Sequence, residues 1–260
     1  MPYADFDARE YEFDGLRRTV FESGEGPAVI VIHEAPGLHP GVAAFARRVR
    51  ARGFRVYMPS LIGEPGRPAS LGYSLGTLAR ACVVREFTVF ATGKASPITT
   101  WLRSLARHAH EVCGGPGVGA VGMCLSGGFA LAMMSDARMI APVLSQPSLP
   151  FGITAAQKRD LGVDAQTLAT IRERAADGVC VLGLRFTEDF MVPPERFARL
   201  REVLGDNFIA VEIDSSPGNP HGIPRTAHSV LALDFVEDPE HPTWAAMEKV
   251  LDFYDERLKV

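Results

Sequence analysis

The sequence alternates short β-branched, apolar runs with longer stretches of helical period, and this alternation most limits the folds open to it. It is typical of a mostly parallel sheet with helices on both faces. The segment 27–34 (PAVIVIHE) is apolar without alternation, as expected of a strand buried on both faces. We predict strands over 27–34, 54–59, 117–123, 139–144, 179–186 and 208–213, and helices over 40–52, 97–112, 125–135, 166–176, 194–204 and 244–258.

The length favours one large core over two small ones. The chain has 260 residues, 47% of them hydrophobic, so we expect a single domain over 1–260. From residue 60 to about residue 96 the pattern loosens and Gly and Pro are frequent up to Gly76. We predict a loop-rich insertion here that borders the functional site, with a helix over 78–90.

Composition argues against several classes of function. A net charge of −4 gives no electrostatic reason to expect a nucleic-acid or membrane partner. The first 15 residues lack a signal-peptide pattern, and no apolar run reaches the roughly 18 residues that a membrane helix needs. The four cysteines form no CxxC pair, which argues against a zinc site or a disulfide framework. We therefore expect a cytoplasmic protein without metal or cofactor, and we consider a homodimer as well as a monomer.

The segment GMCLSGG (122–128) lies where a predicted strand turns abruptly into a helix. A nucleophile on such a tight turn needs small residues two positions before and after it, and Gly122 and Ser126 supply them around Cys124. The helix N-terminus favours a thiolate and an anionic intermediate, and the NH of Leu125 is a candidate oxyanion donor. On this motif alone, a buried structural thiol is an equally good interpretation of Cys124. Ser126 is the weaker candidate nucleophile, because it lies inside the helix.

Four motifs in order give the chain its resemblance to a known family. HEAPG contains Glu34, GMCLSGG contains Cys124, EDFMVPP contains Asp189, and AHSVL contains His228. With these motifs the chain resembles the dienelactone hydrolase family of α/β-hydrolases over most of its length. The resemblance implies an α/β-hydrolase fold, a Cys-His-Asp triad, and a glutamate, here Glu34, that helps form the thiolate.

The chemistry of a thiol agrees with these roles. A thiol near its ordinary pKa is mostly protonated at neutral pH, so an adjacent base must activate it. His228 is the expected base, and Asp189 is expected to orient it, although Asp189 also fits a turn residue or a helix cap. His221 is the competing histidine, because it lies in the Pro/Gly-rich loop SSPGNPHGIP. The remaining histidines at 39, 108, 110 and 241 are interpreted as loop or surface residues.

Substrate contacts are predicted less directly. The NH of Ala35 is the second candidate oxyanion donor, and His33 and Phe190 are candidate pocket residues. Family members that act on dienelactones hold the substrate carboxylate with two arginines. Here Arg80 or Arg85 can match the earlier one, but the stretch after His228 has no arginine. A less polar ester, lactone or thioester therefore suits the apolar surroundings better.

We expect a hydrolase that opens a small carboxylic ester or lactone through a thioacyl-enzyme. Fold and triad do not fix the acceptor, so C–C bond hydrolysis and acyl transfer stay open. A non-catalytic α/β-hydrolase that binds a small ligand is the alternative from a different class.

Overall fold

The computed structural model describes residues 3–83 and 96–259, with the backbone alone for residues 80–83. Within these ranges the strands are β1 Asp7–Phe13, β2 Leu16–Ser23, β3 Ala28–Ile32, β4 Arg55–Pro59, β5 Val118–Met123, β6 Met139–Ser145, β7 Val181–Phe186 and β8 Phe208–Ile213. They form one eight-stranded sheet in the order β1-β2-β4-β3-β5-β6-β7-β8. The six strands from β4 to β8 in this order are all parallel, and β1 and β2 are antiparallel additions at one edge. This topology confirms the predicted α/β-hydrolase fold.

Helices cover both faces of the sheet. They are α1 Pro40–Ala51, α2 Leu71–Val83, α3 Pro97–Cys113, α4 Gly127–Met133, α5 Ala155–Arg159, α6 Ala165–Ala176, α7 Pro194–Leu204 and α8 Pro242–Leu258. Alternate residues of β3 enter different cores: Val29 and Val31 pack with α1 and α8, whereas Ile30 and Ile32 pack with α3. Two-sided burial is the reason that β3 lacks a polar alternation. Across the described residues, no helix is both long and apolar enough to cross a membrane.

The β1–β2 hairpin was not indicated by the sequence patterns. Most of β1 is exposed, so it carries little hydrophobic signal. Two aromatic side chains attach it to α3: the ring of Tyr11 lies 5.0 Å from that of His108, and Phe13 lies 5.8 Å from Trp101. These tertiary contacts, rather than local periodicity, account for the hairpin.

The segment predicted as an insertion contains α2, which begins at Leu71 rather than at residue 78. The rest of the predicted helix, up to residue 90, lies outside the described residues. Leu78 packs against the apolar cluster that contains Cys124. The segment 147–164 contains the short helix α5, whose first turn is capped by the Thr154 hydroxyl.

His33, at the end of β3, corrects the prediction that this residue contacts substrate. It has no exposed surface, and Nε2 accepts a hydrogen bond from the NH of Leu61 at 3.0 Å. Nδ1 therefore carries the proton and donates to the carbonyl of Glu34 at 2.8 Å. Burial lowers the pKa of His33 to about 4, so the ring is neutral at pH 7. The ring ties β3 to the loop after β4 and has no face left for a ligand.

We predict that His33 makes the fold sensitive to acid. Between about pH 6.5, where an unfolded histidine titrates, and the folded value of about 4, the unfolded chain binds the additional proton. The free energy of unfolding therefore falls as the pH drops through this window, by on the order of 3 kcal/mol from this residue. Urea unfolding of wild type and His33→Gln at about pH 7 and about pH 4.5 measures it.

The variant should lose less stability on acidification than wild type does. His221→Gln, at an exposed histidine, is the matched control and should keep the wild-type pH dependence. Equal acid sensitivity of wild type and His33→Gln would contradict the assignment.

Arg196 of α7 is a buried arginine that holds the segment after β6. Its side chain is 1% exposed and donates to the carbonyls of Pro147 at 2.7 Å, Asp160 at 2.9 Å and Gln157 at 3.2 Å, and also to that of Pro150. Burial lowers its pKa to about 10, which still leaves it charged at neutral pH. One side chain therefore fixes a segment that has little regular structure of its own.

We predict that Arg196→Met destabilises the protein by about 3 kcal/mol or more, because buried carbonyls lose their donors. Arg199→Met on the same helix is the control, since Arg199 is partly exposed and pairs with Glu202 at the surface. Its cost should stay below about 1 kcal/mol. Denaturant unfolding measures both variants, and equal costs would contradict the structural role of Arg196.

Candidate active site

The turn between β5 and α4 has the geometry of a nucleophile elbow. Cys124 has a φ of 54°, in the left-handed region that non-glycine residues seldom adopt. A Cβ atom on Gly122 would lie 2.1 Å from the carbonyl oxygen of Ser126, so only glycine fits there. The smallness predicted around Cys124 is thus required by the approach of strand and helix.

The Ser126 hydroxyl is committed to the backbone of the turn. It accepts from the NH of Met123 at 2.7 Å and lies 3.0 Å from the carbonyl oxygen of Ile32, to which it donates. The side chain is fully buried. This hydroxyl joins the turn to β3 and has no access to a substrate, which supports Cys124 rather than Ser126 as the candidate nucleophile.

The sulfur of Cys124 has a polar neighbour that the sequence did not reveal. Cys124 is 8% exposed, and its Sγ lies 3.1 Å from the hydroxyl oxygen of Ser148. The NH of Ser148 also donates to the carbonyl of Cys124 at 3.1 Å. Ser148 is therefore linked to Cys124 through both backbone and side chain.

His228, which is partly buried, forms a close pair with the buried Asp189. Nδ1 of His228 lies 2.6 Å from Oδ2 of Asp189, whose side chain is 1% exposed. Nε2 is buried and has no conventional hydrogen-bond partner among the described residues. Burial alone would lower the pKa of His228, but its interactions with Cys124 and with the Asp189 carboxylate outweigh burial and hold the pKa well above its usual value. The structure thus brings the imidazole into the range of both Asp189 and Cys124.

The loop after β8 holds His228 through its backbone. The NH groups of His228 and Ser229 both donate to Oδ2 of Asp234, each at 2.8 Å. The competing histidine, His221, is exposed and packs against His241, with ring centroids 5.6 Å apart. Of the two candidates, the structure brings His228 to Asp189 and Cys124.

Glu34 is buried in a network of hydrogen-bond donors. Its Oε1 accepts from the Ser229 hydroxyl at 2.7 Å and from Nε2 of His39 at 3.0 Å, and its Oε2 accepts from the Gln146 amide at 2.9 Å. Among the described contacts, no hydrogen bond joins Glu34 to Cys124. The carboxylate instead connects three loops at the carboxyl edge of the sheet.

His39 corrects the interpretation of this residue as a loop or surface histidine. It is 1% exposed and precedes α1, where its Nδ1 accepts from the NH of Gly41 at 3.2 Å. Nε2 therefore bears the proton and can donate to Glu34. The sequence does place His39 directly before a predicted helix, which could have indicated a helix cap. It could not indicate that the side chain is buried, because that burial comes from tertiary packing.

The two candidate oxyanion donors follow the ends of two neighbouring strands, β3 and β5. Leu125 is the second residue of the turn Cys124–Ser126, where NH groups have no helical partner, and Ala35 follows Glu34. No hydrogen bond of the described residues uses either NH. Both side chains belong to, or pack on, the apolar cluster that contains Cys124.

Only some of the side chains predicted to bind substrate lie in the described part of the structure. Phe190 is 79% exposed beside Asp189. Arg80 lies on α2 but its side chain is outside the described part of the structure, and Arg85 is outside the described residues. Arg225 is exposed and pairs with Glu188 at 2.8 Å.

Cys124 belongs to an apolar cluster. Leu61, Ile62, Leu78 and Leu149 pack in the same cluster as the cysteine. Exposed apolar side chains also follow the carboxyl ends of several strands, at Leu71, Leu75, Ile153, Phe190 and Leu233. Among the described residues, no group of three or more His, Cys, Asp or Glu side chains could hold a metal ion.

Solved structures with the same fold cover nearly the whole chain. A protein of Klebsiella pneumoniae subsp. pneumoniae assigned as a dienelactone hydrolase is 18% identical with a TM-score of 0.60, over 95% of this chain and 98% of that one. A cold-adapted esterase from an Arctic intertidal metagenomic library is 14% identical with a TM-score of 0.61, over 96% and 93%.

A third similar structure is the dienelactone hydrolase-like promiscuous phosphotriesterase P91 from metagenomic libraries. It is 18% identical with a TM-score of 0.59, over 98% of this chain and 100% of that one. At such identities the likeness shows the fold alone. No curated protein matches the sequence.

The sequence itself carries the family assignment. The model of the dienelactone hydrolase family matches residues 14–256, which is nearly the full chain. This chain belongs to the dienelactone hydrolase family.

Proposed function

We propose that the protein hydrolyses carboxylic esters or lactones, with Cys124 as nucleophile, His228 as general base and acid, and Asp189 as the group that orients His228. The observation that carries the proposal is the 2.6 Å contact between His228 Nδ1 and Asp189, with the imidazole beside a cysteine on a nucleophile elbow. This arrangement supplies each role of a hydrolytic triad.

The first half of the reaction forms a thioester. His228 takes the proton from Cys124 through Nε2, and the thiolate attacks the carbonyl carbon of the substrate. The oxygen of the tetrahedral intermediate accepts hydrogen bonds from the NH groups of Leu125 and Ala35. The intermediate collapses, the carbon–oxygen bond of the ester breaks, and the departing alkoxide takes the proton from His228.

The second half uses water. His228 removes a proton from a water molecule, whose oxygen attacks the thioester carbon. The carbon–sulfur bond breaks, the carboxylic acid leaves, and Cys124 recovers its proton or stays paired with His228. With a lactone, the alcohol and the acid are parts of one product molecule.

The apolar surroundings of Cys124 support a substrate with an apolar acyl group rather than a dienelactone carboxylate. Leu61, Ile62 and Leu149 belong to or pack against the apolar cluster that contains the cysteine. The stretch after His228, where the family resemblance leads us to expect a carboxylate-binding arginine, has Ala232 and Leu233 instead. Arg225, three residues before His228 in the sequence, pairs with Glu188. Names of similar structures, an esterase and a phosphotriesterase, are in keeping with a hydrolytic reaction.

We predict that Cys124→Ala abolishes turnover of short p-nitrophenyl esters and γ-lactones. His228→Ala and Asp189→Asn should each lower kcat/KM by on the order of 10³-fold or more, because the base or its orientation is lost. Steady-state assays with purified variants measure these effects. Cys180→Ala is the cysteine control and should keep wild-type activity. Cys180 lies just before the first residue of β7, at the end of the strands opposite to Cys124.

His221→Ala is the histidine control. A severe loss at His221 with a mild one at His228 would reverse the assignment of the base. Wild-type protein that binds a ligand of this class but turns over no ester, lactone or thioester would be a binding protein instead.

A further inference from the structure

We infer that Ser148 is a further catalytic residue, whose hydroxyl donates a hydrogen bond to the sulfur of Cys124 and stabilises the thiolate. The inference rests on the proposed function for its role in turnover. Its physical basis is the 3.1 Å distance between Ser148 Oγ and Cys124 Sγ. Sγ is the atom that attacks the substrate in the proposed reaction. A group that is hydrogen-bonded to Sγ therefore acts on the reacting atom itself.

The hydroxyl suits an ionised sulfur. Once His228 has taken the proton, the thiolate can only accept hydrogen bonds, and a serine hydroxyl rotates freely to donate one. Bonds to charged acceptors are stronger than bonds between neutral groups. Because Ser148 is 1% exposed, water competes little for either partner.

The position of Ser148 is fixed by contacts of the two residues before it in the chain and by its own backbone NH. The NH of Gln146 donates to the carbonyl of Leu184 at 2.8 Å, and the carbonyl of Pro147 accepts from buried Arg196 at 2.7 Å. The NH of Ser148 itself donates to the carbonyl of Cys124 at 3.1 Å. The hydroxyl is therefore held at the sulfur before substrate arrives, which is the condition for electrostatic preorganisation.

Glu34, expected from the family resemblance to help form the thiolate, is occupied elsewhere. Its carboxylate oxygens accept from His39, Gln146 and Ser229. Through Gln146 it orders the segment that carries Ser148, and through Ser229 it orders the loop that carries His228. Glu34 is thus a positioning residue, and Ser148 is the group that touches the sulfur.

The direction of the hydrogen bond gives the test its sign. If the hydroxyl donates to the thiolate, removing it makes ionisation harder and moves the pH profile of thiol reactivity upward. If the hydroxyl instead accepts from a protonated thiol, removing it makes ionisation easier and moves the profile downward. The two arrangements cannot produce the same shift.

The experiment is alkylation of Cys124 by iodoacetamide from about pH 5 to about pH 9, a range that spans ordinary histidine and thiol titration. Labelling is followed by mass spectrometry of the peptide that contains Cys124, so that other cysteines do not interfere. Wild type is compared with Ser148→Ala and with Ser104→Ala, whose hydroxyl bonds to Asp14 at the surface. Ultraviolet thiolate absorbance in the same pH series is the second readout, and circular dichroism checks that the variants fold.

Ser148→Ala should raise the midpoint pH of the profile and slow alkylation below the midpoint by about tenfold. Ser104→Ala should match wild type. An unchanged or lowered midpoint in folded Ser148→Ala overturns the inference.

Alkylation needs no ester turnover, so the two proposals fail separately. If the wild-type protein hydrolyses no ester, lactone or thioester, the proposed function is refuted. The alkylation result decides only the role of Ser148.

Discussion

The close approach of β5 and α4 at Cys124 is the constraint on which the rest of the site depends. Gly122 leaves no room for a side chain, and Cys124 adopts a φ of 54°. This backbone is costly for a residue with a side chain, and the surrounding turn holds it in place. Because the backbone is fixed, the sulfur atom is held in one position. There it contacts Ser148 from the loop after β6 and interacts with His228 from the loop after β8.

A buried carboxylate coordinates these loops. Glu34, which follows β3, accepts hydrogen bonds from three residues. His39 immediately precedes α1, Gln146 follows β6, and Ser229 is the neighbour of His228 in the chain. Each of these three groups donates a hydrogen bond to the carboxylate, and a buried carboxylate is stable only when it has such donors. These polar contacts join the segment that precedes Ser148 to the loop that carries His228. In this account the family's glutamate supports the site without bonding to the sulfur.

The sequence was informative where a residue's role follows from local pattern. Strand and helix positions were predictable because apolar period reports burial, and the elbow was predictable because Gly122 and Cys124 stand at a strand–helix junction. Ser148 and Gln146 were missed, since polar residues in an aperiodic segment have no motif and are placed by tertiary contacts such as that of Arg196. The same reason explains the error at His39, whose neighbours along the chain suggest a surface loop while its burial comes from the surrounding fold.

If Cys124 is the nucleophile, it becomes covalently acylated during turnover, and the position of the acyl group can be found by mass spectrometry. The protein is acid-quenched while it turns over a p-nitrophenyl ester, and the peptide containing residues 122–128 is fragmented in a mass spectrometer. We expect one acyl group on the sulfur of Cys124, which neutral hydroxylamine removes as it removes a thioester, and none on Cys124→Ala. An acyl group on Ser126 or on another side chain, or equal labelling of Cys124→Ala, would contradict this expectation.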